Sequence, residues 1–255
     1  MNISQVAAQL YTVRDHCKTP DDIAATLQRV AGIGYQAVQA SALGPIPEAD
    51  LKQLCHDNGL TLCATHESLT AILDTPQATI ERLQKLGCLH TAIGFPSGID
   101  LGSREGVLDF ARRFEAAAEQ FVAAGLSVSH HNHQHEFRKI GGQTVMQILL
   151  ENTVHVGFEL DTYWVQFGGA NPVTYCEMMA SRMPLLHLKD YGIGADSQPH
   201  FAEIGQGNLE FEPIIAAAEA GGCGWFIVEQ DTTPGDPFDS LQISFDYVKN
   251  NLCRA

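Results

Sequence analysis

The stretch "AAGLSVSHHN", residues 123–132, runs from alanines through Gly125 into alternating apolar and polar side chains. Glycine just past a helix end takes the left-handed conformation cheaply, so Gly125 marks a helix-to-strand turn. The same order recurs in "AGIGYQAVQA" (31–40), "HDNGLTLCATH" (56–66), "KLGCLHTAIGF" (85–95) and "AGGCGWFIVEQ" (220–230). Each short β-rich run gives way to a polar break and a new helical pattern. In "TPDDIAATLQRVAGIG" (19–34), for example, Thr19 or Asp21 is placed to cap the helix. Adding "QVAAQLYT" (5–12), "VHVGFELD" (154–161) and "MPLLHLKD" (183–190) gives eight strand candidates alternating with eight helices.

Strands alternating with helices imply parallel β-α-β units. Eight such units in 255 residues is the size and count of an α/β fold of the (β/α)8 type, the TIM barrel. An open doubly wound sheet is the competitor, but it carries a glycine-rich phosphate loop after its first strand. The segment "LYTVRDHCK" (10–18) has none. No linker or low-complexity run divides the chain, so residues 1–255 are expected to form a single domain.

Composition agrees with a substantial core, at 45% hydrophobic and 18% charged residues. Fifteen basic against 30 acidic side chains give a formal charge of −15. Such a field repels phosphate backbones and anionic lipid, so neither nucleic acid nor membrane is expected as a partner. The seven cysteines are scattered without a C-x-x-C pair, which indicates neither a disulfide framework nor a zinc ribbon. They read as reduced thiols of a cytoplasmic protein. The opening "MNISQVAAQLYTVRD" lacks the basic and apolar regions of a signal peptide. No apolar run approaches the ~18 residues of a membrane span.

Alternate side chains of a barrel strand point into the barrel or out toward the helices. With Leu126 and Val128 outward, Ser129, His131 and His133 point inward and His130 packs against helices. The same parity places Glu159 and Asp161, then His187 and Lys189, then Glu229 and Asp231 inside. Ionisable groups therefore converge at the C-terminal ends of the last four strands, where barrel enzymes carry their active sites. Unpaired buried carboxylates are too costly to be ordinary core residues. One divalent cation would offset that charge; carboxylates with imidazole suit Mn²⁺, Mg²⁺, Co²⁺ or Zn²⁺.

These segments resemble the sugar phosphate isomerase/epimerase family of the xylose isomerase-like TIM barrel superfamily. The resemblance rests on "HHNHQHEF" (130–137), "ELDTYWVQFGGANP" (159–172), "LLHLKDY" (185–191), "EIGQGN" (203–208) and "FIVEQD" (226–231). It implies a metal held by Glu, Asp, His and a second Glu from strands five to eight. Asp161, His187 and Glu229 match three of these. The fifth strand has no glutamate, so Glu136 is expected to be delivered by a bend after the strand, with a fifth-strand histidine as the alternative ligand. That departure leans toward branches resembling inosose dehydratases and keto-sugar isomerases.

The implied chemistry is proton abstraction beside a carbonyl, with Lewis-acid assistance and an enediolate intermediate. Reprotonation isomerises or epimerises the sugar, whereas loss of a β-hydroxyl makes the enzyme a dehydratase. Glu136, Glu229 and Lys189 are the catalytic candidates. His66, His131, His133, Trp164, Tyr11, Arg14 and Phe95 are the candidates for binding a small carbohydrate. A homodimer is the default assembly. An HNH-type nuclease reading of "HHNHQHEF" fails because the segment lies in a βα repeat. An apurinic-site endonuclease would need a basic surface and more ligands. A non-enzymatic sugar-binding barrel would need no inward metal constellation.

Overall fold

Gly125 holds φ at 73° just beyond the helix Arg104–Ala123 and turns the chain into the strand Ser127–His131. In the computed structural model, which describes residues 1–254, every expected strand forms. They are β1 (Val6–Gln9), β2 (Ala37–Ala40), β3 (Thr61–Glu67), β4 (His90–Ile93), β5 (Ser127–His131), β6 (Gly157–Asp161), β7 (Leu185–Leu188) and β8 (Trp225–Val228). Each pairs in parallel with its neighbours in sequence, and β1 pairs with β8 to close the barrel.

Side-chain parity divides each strand between two cores. Val128, Phe158, Leu160, Leu186, Leu188, Phe226 and Val228 face outward into one apolar layer under the helices. Phe110, Phe114 and Phe121 of the long helix Arg104–Ala123 are fully buried there, each worth roughly 1.5–3 kcal/mol of burial. The inner core is small: Ala7, Ala37, Cys63, Ala64, Leu185 and Ile227 fill the barrel. Above them the inward positions turn polar.

Several connections depart from the plain βα repeat. After β6 the chain forms two short helices, Thr162–Phe167 and Pro172–Met178, broken by Gly168, Gly169 and Pro172. After β7 it adds an antiparallel hairpin, Asp190–Ile193 with Pro199–Ala202, before the helix Phe211–Ala220. A smaller hairpin joins Lys139–Ile140 to Gln143–Thr144. Among the described residues no helix is long and apolar enough to cross a membrane.

Candidate metal and active site

Strand register sets the site. His131 lies opposite Glu159, and Asp161 lies opposite His187, so alternate positions of β5, β6 and β7 meet inside the barrel. Glu229 follows β8 directly. His131, Asp161, His187 and Glu229 are all buried, and each offers a ligand atom within 4.8 Å of the others. Asp161 divides its oxygens. Oδ1 accepts the Trp164 backbone N–H at 3.0 Å, capping the helix Thr162–Phe167, while Oδ2 has no hydrogen-bond partner among the described residues. Neither ring nitrogen of His131 has one either, although His131 is 3% exposed. Buried polar atoms seldom stay unsatisfied. Two imidazoles and two carboxylates around such atoms are a donor set that fits a divalent cation.

The charges around this cluster are tightly coupled. Lys189 Nζ donates to Asp231 Oδ1 at 2.7 Å and Glu229 Oε2 at 3.1 Å, and lies 3.4 Å from Asp161 Oδ2. Burial disfavours its ammonium, yet Asp161, Glu229 and Asp231 hold the lysine well above its ordinary range. Burial likewise opposes ionisation of Glu229, but Lys189 and His187 keep the carboxyl below its ordinary range. His187 is pushed down by burial and raised more strongly by Glu159 and Glu229. Burial pushes the Asp231 carboxyl up, with Lys189 pulling against it.

The sequence matches the family described as Xylose isomerase-like TIM barrel over residues 27–250. The chain belongs to that family. Among solved structures, a sugar phosphate isomerase/epimerase from Parabacteroides distasonis ATCC 8503 superposes with a TM-score of 0.80 at 23% identity, covering 99% of this chain and 96% of the other. An L-ribulose 3-epimerase gives 0.74 at 15% identity, with 96% and 93% covered. A D-allulose 3-epimerase from Methylomonas sp. gives 0.73 at 14% identity, with 99% of both chains covered. At these identities the likeness establishes the fold alone. A comparison with curated protein sequences finds no match.

In this xylose isomerase-like barrel a cavity of about 300 Å³ opens beside the cluster. Its lining includes the expected Tyr11, His66, Phe95, His131, His133, Lys189 and Glu229, together with Ser41, Gly94 and Asp231. Phe95 stands 55% exposed at the mouth, edge-on to His133 at 5.1 Å. Burial and neighbouring His131 push His133 down to about 3, so its ring is neutral at about pH 7. A Cβ at Gly94 would lie 2.9 Å from His66 Nδ1, which explains the glycine there. Trp164 packs behind the cavity, 5.4 Å from the His133 ring and 5.3 Å from Lys189 Nζ.

Like Trp164, two further expected residues, Glu136 and Arg14, lie outside the cavity lining. Glu136 sits in a 3₁₀ turn, Gln134–Phe137, and its carboxylate accepts from His130 Nε2 at 3.1 Å and from the His133 backbone N–H at 2.9 Å. His135 Nε2 lies 3.3 Å away. The bend carries Glu136 to the helix side of β5, and the structure brings His131 rather than Glu136 to the cluster. Arg14 does not line the cavity. It donates to the carbonyls of Tyr11 at 2.9 Å and Asp231 at 3.0 Å and lies over the Tyr11 ring, bracing two loops that do.

The site also holds residues that the sequence reading left without a role. Glu159, Gln39 and Gln9 form a hydrogen-bonded chain under His187, and Asn132 clasps the Asp161 backbone at 2.9 Å. Strand parity placed Glu159 and Asp231 inside. Gln9 ends β1 and Gln39 is the penultimate residue of β2; neither carries a charge, so no comparable signal marked them. Finally, the "EIGQGN" loop turns its amides inward. The N–H groups of Gly205, Gly207 and Leu209 donate to the Asp190 carboxylate at 2.9, 3.0 and 3.2 Å. A Cβ at Gly207 would lie 2.4 Å from Asp190 Oδ1.

Proposed function

We propose that this barrel is a divalent-metal-dependent isomerase or epimerase of an unphosphorylated keto-sugar. The observation carrying this reading is the ring of His131, Asp161, His187 and Glu229, with unpartnered atoms on Asp161 and His131, beside a sugar-sized cavity. A divalent cation held by these residues would supply Lewis acidity toward a carbonyl and its neighbouring hydroxyl.

The chain's own groups account for the rest. Glu229, kept ionised by Lys189 and His187, is placed to take the proton from the carbon beside the carbonyl. The Lys189 ammonium, fixed by its carboxylate partners, stabilises the negative oxygen of the resulting enediolate. His66, His133, Ser41 and Tyr11 line the cavity and bind hydroxyls. Phe95 at the mouth limits water access. Return of the proton to the other carbon isomerises the sugar, and return to the opposite face of the same carbon epimerises it. The names of the L-ribulose and D-allulose epimerases of similar fold favour this substrate class.

Charge and amide placement disfavour a phosphate group on the substrate. TIM barrels often bind phosphate with backbone amides from the loops after strands seven and eight. Here the amides of the loop after β7 already enclose Asp190. Lys189, the cation lining the cavity, is committed to three carboxylates. Dehydration of a keto-polyol is the second reading. It is favoured by His131 standing where a second carboxylate would serve the opposite face of the reacting carbon.

The test is deuterium exchange. Keto-sugars, their phosphates and inososes are incubated with the Mn²⁺-loaded protein in D₂O and followed by NMR. Uptake beside the carbonyl of a free keto-sugar, with appearance of its isomer, is the expected result. Uptake followed by loss of a hydroxyl selects the dehydratase. No uptake across the panel removes the enzymatic reading.

A further inference from the structure

Two groups of ligand-type side chains, all buried except the partly exposed His66, share His187. One is His131, Asp161, His187 and Glu229; the other is His66, Glu159 and His187. Hydrogen-bonding capacity separates them. The first contains Asp161 Oδ2 and the His131 nitrogens, which make no hydrogen bond, with His131 Nε2 and Lys189 Nζ at 3.5 and 3.4 Å from that oxygen. In the second, Glu159 is fully buried and both of its oxygens are engaged. Oε1 accepts from Gln39 Nε2 at 2.6 Å and lies 3.3 Å from His187 Nε2. Oε2 faces His66 Nε2 at 2.5 Å. Gln39 Oε1 is also taken, by Gln9 Nε2 at 2.8 Å and His187 Nε2 at 2.7 Å.

Donor logic then fixes both rings. Gln39 Nε2 must donate to Glu159, because its own oxygen receives Gln9. Glu159 and Gln39 therefore present only acceptors to His187 Nε2, which must carry a hydrogen. Its Nδ1, 2.9 Å from Glu229 Oε2, is the nitrogen facing the first group. Glu159 Oε2 likewise requires a hydrogen on His66 Nε2. That leaves His66 Nδ1 toward the cavity, 3.3 Å from Ser41 Oγ.

We propose that Glu159 is a positioning residue, one carboxylate that sets the tautomer and ring orientation of two histidines. It turns His187 Nδ1 to the cation site and His66 Nδ1 to the substrate. The part concerning His187 rests on the cation reading above; the part concerning His66 does not. Carboxylate partners of this kind orient metal-binding imidazoles, and their loss typically costs about 10–100-fold in metal affinity. For His66 the same contact makes Nδ1 an acceptor, held by Ser41 Oγ at 3.3 Å, so a substrate hydroxyl would bind at that point as a donor in place of Ser41.

Long-range ¹H–¹⁵N NMR of the metal-free protein, with His66 assigned by its disappearance in His66→Gln, is expected to show a proton on Nε2 and none on Nδ1. The opposite tautomer overturns the proposal, and this arm needs neither a cation nor a folded Glu159 variant. In Glu159→Gln the new amide offers a donor to His66, so its tautomer is expected to flip. Mn²⁺ binding, followed by electron paramagnetic resonance, is expected at one ion per wild-type chain and about 10–100-fold weaker in the variant. An unchanged tautomer with unchanged Mn²⁺ affinity overturns the proposal. So do two ions per wild-type chain with one lost in Glu159→Gln, since Glu159 is then a ligand. A wild-type protein that binds no Mn²⁺ overturns the cation reading instead, while the His66 tautomer still decides the role of Glu159.

Discussion

Asp161 uses one oxygen to cap a helix and leaves the other facing the ligand cluster, so its two roles can be separated chemically. Asn is as good an N-cap as Asp. Asp161→Asn is therefore expected to weaken divalent-cation binding by about 100-fold or more, a loss of roughly 2.7 kcal/mol, with little change in melting temperature. Asp161→Ala is expected to lose the same affinity and about 1 kcal/mol of stability in addition. Calorimetric titration with Mn²⁺ and thermal melts of the metal-free variants check both. Glu136 behaves differently. Its buried pairing with His130 and His135 predicts a loss of about 3 kcal/mol for Glu136→Ala, at unchanged Mn²⁺ affinity. Burial opposes its ionisation, but His130 and His135 hold its carboxyl below the ordinary 4.5. A depressed carboxyl stabilises fully above the unfolded value and loses that contribution as pH falls through the folded one. Glu136 in turn raises His135 above its ordinary 6.5, so the stability gap between wild type and Glu136→Gln should be widest at about pH 5–6, narrow as pH rises through the His135 titration, and close in acid, as urea melts at each pH would reveal. Sequence parity placed His131 correctly because it lies within a strand. It could not place Glu136, because parity ends where the strand ends and the following 3₁₀ turn rotates the side chain outward.

At the scale of elements, the turns that start β2, β3, β4, β5 and β8 were readable because one physical requirement, a residue tolerant of positive φ, recurs at Gly34, Gly59, Gly87, Gly125 and Gly222. The insertions were not. The hairpin strands Lys139–Ile140 and Gln143–Thr144 are two residues each, too short for any periodicity to register. The hairpin after β7 is joined to its neighbouring loop by Asp190, whose carboxylate gathers three amides. Burial pushes this carboxyl up, and the amides of Leu209, Gly207 and Gly205 pull against it. Removing it leaves these three loop N–H groups, and that of Tyr191, without their acceptor. Asp190→Ala is therefore expected to lower stability by about 2–3 kcal/mol and leave Mn²⁺ affinity within twofold, as measured by urea melts and titration. A large loss of Mn²⁺ affinity would mean that this loop supports the cation site as well as itself.

For the whole molecule, alternation of strand and helix was sufficient to specify a closed barrel, since eight right-sized βα units leave few other ways to bury one apolar face of each helix. The convergence of Asp161, His187 and Glu229 followed from the same geometry, but the fourth member of the cluster is His131 and not the expected Glu136. What stayed hidden was the hydrogen-bonded chain from Gln9 to Glu159, which depends on side chains from separate strands meeting across the barrel. A cation bound only by the folded barrel raises its stability by mass action. At a free concentration about 100 times Kd the gain is about 2.7 kcal/mol. Mn²⁺ is thus expected to raise the melting temperature and a chelator to reverse the rise, with neither effect in Asp161→Asn. A shift of equal size in that variant would locate the cation elsewhere.

The neighbouring histidines at 130 and 131 give strand β5 one further property. One packs on Phe110 and bonds Glu136, and the other faces the ligand cluster. Slipping the strand by one residue exchanges their faces, yet leaves an imidazole on each side. Composition alone would not distinguish the slipped barrel from the native one; the displaced neighbours would, because Glu136 and Asp161 move out of reach of their partners. On the proposed cation reading, uptake would serve as a proofreading signal for assembly: the fraction of chains that load the ion would report the fraction whose fifth strand has found its register.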